Sequence, residues 1–95
     1  MIRSLSNLQA GMITKDSIEQ AYCFFHQKWR IYSYSTDEAQ KEEIKYAMSS
    51  YTESMNSDLY ARISAGKENF LCDYSAFDAD MPRAMECLER LMKGI

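Results

Sequence analysis

The segment 16–34, DSIEQAYCFFHQKWRIYSY, decides the fold because it concentrates the large aromatic side chains of the chain. It holds the only Trp and the only His, with three of the seven Tyr and two of the four Phe. One set of large side chains within it is spaced 4, 3, 4 and 3 residues apart: Ile18, Tyr22, Phe25, Trp29 and Tyr32. That spacing places them on one face of a helix, and it predicts a helix over about 15–34.

A second apolar stripe lies roughly 120° around the same helix, and it consists of Phe24, Ile31 and the aliphatic stem of Lys28. A surface helix needs only one apolar stripe to face the core. Two stripes indicate a helix at the centre of a bundle, or one that a second subunit covers. We therefore predict that this helix is the hub of the fold. Its second side is the candidate interface, formed by Phe24, Ile31, Lys28 and Tyr34.

The next segment predicts an amphipathic helix over about 36–55. Ser35 and Glu38, three residues apart, form a capping-box pattern at its start. The predicted inner face is apolar and holds Ile44, Ala47, Met48, Tyr51 and Met55. The predicted solvent face is polar and holds Glu38, Glu42, Lys45, Ser49 and Thr52. We expect the apolar face to pack on the aromatic helix.

A short third helix is predicted over about 58–65, where Gly66 supplies a stop signal. Residues 68–77 are ambiguous, because their apolar spacing fits a helix and their alternation fits a strand. A lone strand would have no partner in this chain, so a helix is favoured. The last helix follows residues 78–80, with Pro82 in its first turn. Its predicted apolar face holds Ala84, Met85, Leu88, Leu91 and Met92.

Together these patterns predict one all-α domain over residues 1–95. It is a small bundle of four principal helices around the central aromatic helix, with residues 1–13 as an N-terminal arm. Three Gly and one Pro in 95 residues favour helices over a turn-rich β fold. Three capping patterns are present at the start of the aromatic helix: Thr14 as N-cap, Asp16 with Glu19, and Ser17 with Gln20.

Charge and cysteine content exclude several classes of protein. The formal net charge is −3 and the basic residues are dispersed, which argues against a dedicated binder of nucleic-acid phosphates. The three Cys are widely spaced without a CxxC motif, and free thiols fit a reducing cytoplasm. No apolar run is long enough for a signal peptide or a membrane span, so we expect a cytoplasmic protein without membrane contact.

A polar cluster on the aromatic helix is the nearest approach to an active site, and it holds Glu19, Cys23, His26 and Arg30. Cys23 and His26 are three residues apart, so the imidazole is within reach of the thiol proton, as in Cys-dependent enzymes. No oxyanion donor accompanies them, and an ordinary polar strip is the favoured interpretation. One His, one Cys and one Glu also fall short of the four ligands of a structural zinc site. We therefore expect no metal and no cofactor.

Three carboxylates precede the last helix, from Asp73, Asp78 and Asp80. A calcium loop of the EF-hand type needs a central Gly and a terminal Glu, and that Gly is absent. Asp residues near a helix start commonly accept hydrogen bonds from its free N–H groups. The predicted role of all three is therefore helix capping.

Nucleic-acid binding is the alternative function. Residues 57–77 have a helix–Gly–helix pattern like that of a helix-turn-helix, and His26, Lys28 and Arg30 form a basic edge on the aromatic helix. However, Arg62 occupies the position where the motif needs a small residue, and the segment that follows is largely apolar. This alternative therefore ranks second.

We expect instead a non-enzymatic interaction protein, either a homodimer or a partner-binding accessory factor. Seven Met and seven Tyr in a chain of this length support that expectation, because both side chains adapt to half-wet protein interfaces. A nucleic-acid-binding regulator is the second hypothesis, and a Cys-dependent enzyme is the third.

Overall fold

The computed structural model describes residues 13–94, which form four α-helices and no strand. The helices are α1 (Lys15–Tyr34), α2 (Glu38–Ser54), α3 (Ser57–Ser64) and α4 (Phe77–Lys93), and a 3-10 turn at Tyr74–Ala76 leads into α4. The predicted all-α bundle of four helices is confirmed. The predicted N-terminal arm lies outside the described residues except for Ile13, which packs against the core.

The start of α1 is fixed by a reciprocal pair of hydrogen bonds. The Thr14 hydroxyl oxygen accepts from the Ser17 N–H at 3.0 Å, and the Ser17 hydroxyl oxygen accepts from the Thr14 N–H at 2.9 Å. This capping box satisfies two N–H groups that a helix start would otherwise leave unpaired. Thr14 as N-cap is confirmed, and the two patterns that begin at Asp16 and Ser17 are not used because both residues already lie within the helix.

The aromatic stripe of α1 forms the centre of the core. Ile18, Phe25 and Tyr32 are buried, and Tyr22 and Trp29 are half-buried against them. α1 packs on both α4 and α2, which confirms its central position. Burial of each large apolar side chain stabilises the fold by about 1.5–3 kcal/mol, so this one stripe supplies a major part of the hydrophobic stabilisation.

The start of α2 differs from the predicted one. The helix begins at Glu38, and its N-cap is Asp37, whose carboxylate accepts the Ala39 N–H at 3.0 Å. The capping box predicted from Ser35 is wrong. Ser35 Oγ instead accepts the Asp37 N–H and donates to the Gln40 side chain at 2.6 Å, so it stabilises the turn before the helix.

The buried face of α2 is also rotated relative to the sequence pattern. Its buried residues are Ile44, Met48 and Thr52. The prediction that Thr52 faces solvent is therefore wrong, and its hydroxyl finds a partner by donating to the Ser49 carbonyl at 2.7 Å. Lys45, predicted on the same solvent face, is half-buried with its ammonium 5.9 Å from the centre of the Tyr74 ring.

Residues 65–73 form tight turns without helix or strand. Four of them have a positive φ: Ala65 (51°), Gly66 (82°), Asn69 (59°) and Leu71 (66°). This conformation is costly for a bulky side chain such as that of Leu71, so tertiary contacts must hold it. The helix favoured over 68–77 is thus wrong for its first part, because left-handed residues do not propagate a right-handed helix.

Asp80 in α4 supplies the contact that holds this segment. Its carboxylate is completely buried, and it accepts the Leu71 N–H at 3.0 Å and the Lys67 ammonium at 2.6 Å. The predicted capping role is wrong for Asp80. It is also wrong for Asp78, whose carboxylate accepts from the Tyr32 hydroxyl at 2.7 Å and so joins α4 to α1.

α4 begins at Phe77, which is completely buried, so Pro82 lies in the second turn rather than the first. Of the three Asp residues, only Asp73 acts as a cap, at the 3-10 turn. Its carboxylate accepts the N–H and the hydroxyl of Ser75, and these hydrogen bonds keep the pKa of Asp73 below its ordinary value. The predicted apolar face of α4 is confirmed, since its members pack in or against the core: Ala84, Met85, Leu88, Leu91 and Met92.

The substitution Asp80→Ala should lower the free energy of unfolding by about 2–4 kcal/mol, because it leaves the Leu71 N–H and the Lys67 ammonium without their partner. The matched control is Glu86→Ala, which removes an exposed carboxylate paired with Arg90 and should cost no more than about 0.5 kcal/mol. Urea unfolding followed by circular dichroism measures both. Equal losses would show that Asp80 does not hold residues 65–73.

The stability of the fold should also fall at alkaline pH through Tyr32. Burial, assisted by the hydrogen bond and negative charge of Asp78, raises the pKa of Tyr32 from 10.0 to about 12. The unfolded chain ionises this phenol first, so its contribution is complete below pH 10 and is lost as the pH rises toward 12.

Tyr32→Phe should lower the free energy of unfolding by about 1 kcal/mol at neutral pH. It should also reduce the fall in unfolding free energy as the pH rises above 10. Tyr46→Phe, at an exposed Tyr of α2, is the matched control and should leave the pH profile unchanged. Unfolding measured at a series of pH values tests both. A decline in Tyr32→Phe as steep as that of the unsubstituted protein would contradict the assignment.

Candidate functional site

The side of α1 that points away from the core carries six exposed residues, spaced 4, 3, 4, 3 and 4 apart. They are Asp16, Gln20, Cys23, Gln27, Arg30 and Tyr34, and we call them the outer seam. Because steps of 3 and 4 alternate, the six side chains lie in one row along the whole helix. α1 thus buries one row of side chains and presents another to solvent.

An open groove of about 520 Å³ runs along the α2 side of the outer seam. It is lined by Glu19, Gln20, Cys23, Phe24, Gln27 and Tyr51. Its apolar part is aromatic, because the rings of Phe24 and Tyr51 stack with centroids 4.1 Å apart. The Lys28 ammonium lies 5.4 Å from the centre of the Phe24 ring. Two predicted interface residues, Phe24 and Lys28, are therefore partly covered by their own chain.

A second open groove, of about 630 Å³, lies on the α4 side. It is lined by Tyr22, Cys23, His26, Gln27, Trp29, Arg30, Ile31 and Met85. Cys23 and Gln27 line both grooves, so the outer seam forms the ridge between them.

The predicted interface residues Ile31 and Tyr34 are open to water, with 38% and 82% of their surface exposed. Among the described residues, the large hydrophobic side chains this exposed are these two and Tyr46 of α2. Two of the three thus belong to one end of α1, on or beside the outer seam. This concentration distinguishes the surface from the rest of residues 13–94.

The charges on this surface are divided by sign. Asp16 on the outer seam and Glu19 beside it lie near the start of α1, and Lys28 and Arg30 lie near its end. Within residues 13–94, no ion pair involves Asp16, Glu19 or Arg30. The surface therefore has an acidic part and a basic part, and the chain does not join them to each other.

Three members of the predicted polar cluster, Cys23, His26 and Arg30, line the groove on the α4 side. The His26 ring packs on Tyr22 with centroids 4.3 Å apart, and its Nε2 lies 3.7 Å from a carboxylate oxygen of Glu89 in α4. Within residues 13–94, His26 Nε2 has no hydrogen-bond partner, and the Cys23 thiol is exposed on the outer seam. Among residues 13–94 no hydrogen bond joins the imidazole to the Cys23 thiol, although both side chains line this groove.

Sequence reasoning missed Gln20, Gln27 and Tyr51 as members of this surface. Gln20, Cys23 and Gln27 are regularly spaced in the sequence. A row of polar residues on a helix, however, usually indicates ordinary solvent-exposed surface, so the spacing alone does not predict a contact site. Tyr51 gives no local signal, because its contact with Phe24 depends on how α2 folds back on α1.

The helix-turn-helix alternative lacks its second helix. After Gly66 the chain forms turns, with Phe70 and Leu71 completely buried, so this segment presents no recognition helix to a DNA groove. The basic edge of α1 is also divided, because Lys28 lies over the Phe24 ring while His26 faces Glu89.

Two further classes of site are absent from residues 13–94. No group of three or more His, Cys, Asp or Glu side chains there is arranged to hold a metal ion. None of the helices in this range combines the length and the apolar character that crossing a bilayer requires. No protein-family model matches the chain, and neither does any curated protein or solved structure.

The rate at which a maleimide labels Cys23 should be unchanged by His26→Ala, because the imidazole faces Glu89 rather than the thiol. The measurement is made at neutral pH in a protein that also carries Cys72→Ser and Cys87→Ser, so that a single thiol reacts. A decrease of about tenfold or more in His26→Ala would contradict this reading, because it would show that the imidazole activates the thiol.

Proposed function

We propose that this chain is a non-enzymatic interaction protein that forms a homodimer through the outer seam of α1. The observation that carries the proposal is the exposure of two large apolar side chains at the end of α1, Tyr34 on the outer seam and Ile31 in the groove beside it. Exposed large apolar side chains that cluster beside concave surface are typical of protein contact sites.

A second copy of the chain is the favoured occupant, because the charges of this surface complement those of an inverted copy. When the helix direction is reversed, the acidic end of one copy, with Asp16 and Glu19, faces the end of the other copy where Arg30 lies on the outer seam. A parallel arrangement would place like charges opposite each other. Electrostatic complementarity of this kind sets the orientation of partners and excludes wrong ones.

The dimer is expected to be weak. The middle of the outer seam consists of Gln20, Cys23 and Gln27, which offer little apolar area. One helix pair of this length buries less surface than a standard stable interface, so we expect a Kd in the micromolar range. The free thiols of Cys23, Cys72 and Cys87 support a cytoplasmic location for such an accessory protein.

Sedimentation equilibrium over a concentration series from about 5 to about 500 µM tests the proposal, because a micromolar dimer dissociates within this range. The weight-average mass should rise from monomer to dimer. Ile31→Asp and Tyr34→Ala should each weaken the dimer about tenfold or more, which corresponds to 1.4 kcal/mol.

Tyr46→Ala is the matched control, because it removes an equally large exposed side chain from α2 on a face away from α1. It should leave the dissociation constant unchanged. A monomer at every concentration would refute the proposal. A loss of affinity in Tyr46→Ala as large as that in Tyr34→Ala would move the interface away from α1.

A further inference from the structure

Resting on the proposed homodimer, we infer that the two α1 helices pack antiparallel about a two-fold axis at the level of residue 25, with Cys23 of each copy opposite Gln27 of the other. The positions of the outer seam suggest this register. The outer seam consists of three pairs of positions whose members lie equally far from residue 25 along the sequence: 16 and 34, 20 and 30, and 23 and 27. Inverting the helix about that level therefore superimposes the row on itself.

Toward both ends of the helix pair, this register brings together side chains that can form hydrogen bonds with each other. The Tyr34 hydroxyl donates to the Asp16 carboxylate of the second copy. The Arg30 guanidinium donates to the Gln20 amide oxygen of the second copy and reaches Glu19 one residue away. Asp16, Glu19 and Arg30 form no ion pair within residues 13–94 of their own chain. The dimer would supply an ion pair between Arg30 and Glu19, and a hydrogen bond for Asp16.

The central layer permits close approach of the two helices. Cys23 is the smallest side chain of the outer seam, and it faces the longer Gln27 of the second copy. Both residues line both grooves, so space flanks them on either side. A small residue opposite a long one allows the two rows to interdigitate rather than to collide.

A shift of one heptad in either direction gives poorer contacts. A shift toward the N-terminus pairs Gln20 with Cys23 and leaves Ile31 and Tyr34 uncovered. A shift toward the C-terminus brings the two Arg30 side chains within about 4.5 Å of each other along the axis, against about 15 Å in the proposed register. Repulsion between the two guanidinium groups disfavours that arrangement.

Cysteine cross-linking reads the register directly, because a disulfide forms only when the two Cα atoms are about 4.4–6.8 Å apart. All proteins carry Cys72→Ser and Cys87→Ser. The first retains Cys23 alone and reports a parallel pair. The second adds Gln27→Cys and reports the proposed register, in which position 23 faces position 27. The third adds Gln20→Cys and reports the register shifted toward the N-terminus, in which position 20 faces position 23. Each protein is equilibrated in a glutathione redox buffer at a protein concentration above the dissociation constant of the dimer.

Non-reducing electrophoresis should show about tenfold more linked dimer in the Gln27→Cys protein than in the other two, because only there do thiols face each other across the axis. Peptide mass mapping should join position 23 of one copy to position 27 of the other. Equal linking in the Cys23-only or Gln20→Cys protein would overturn the register. If all three sediment as dimers and Gln27→Cys does not link, the antiparallel inference fails while the homodimer stands. If all three sediment as monomers, both fail.

Discussion

The buried carboxylate of Asp80 is the interaction on which the second half of this protein depends. A carboxylate without access to water is unfavourable unless it is paired, and this one has two partners, the Lys67 ammonium and the Leu71 N–H. Both come from the turns between α3 and α4. The same turns are tied to α3 by the Tyr60 hydroxyl, which donates to the Phe70 carbonyl at 2.8 Å. These contacts allow Leu71 to keep a φ of 66° that its side chain would not favour alone.

The same anchoring keeps residues 65–73 beside α3 and α4. Because residues 65–73 are held by α3 and α4, they do not add another helix to the bundle. α3 itself packs on α4, and the main packing partners of α1 within residues 13–94 are α4 and α2. One side of α1 is buried by these neighbours, and the opposite side keeps its row of exposed side chains from Asp16 to Tyr34. The candidate interaction surface is therefore the side of α1 that neither α4 nor α2 covers.

Local patterns in the sequence predict the local features and fail where partners are distant. The bounds of α1 were predicted within a residue because its aromatic spacing is a property of one segment, and Thr14 was recognised as its cap for the same reason. The burial of Asp80 and Thr52 depends on residues far along the chain or on the rotation of a whole helix, which no short window contains. For the candidate site, the second apolar stripe predicts Ile31, and Tyr34 is predicted with it as a candidate interface residue, whereas the polar Gln20 and Gln27 give no such signal.

In the proposed homodimer, the polarity of the outer seam would have a physical advantage that offsets the expected low affinity. A row of Leu or Ile in these positions would bury more area, but it would accept either helix direction and several registers, and it would expose an aggregation-prone surface on the monomer. A row with Asp16 at one end and Arg30 near the other discriminates by charge, because a wrong direction or a shifted register leaves these groups unpaired or close to a like charge. In such an arrangement the apolar side chains of Ile31 and Tyr34 supply the attraction, and the charges select the single orientation in which that attraction is available.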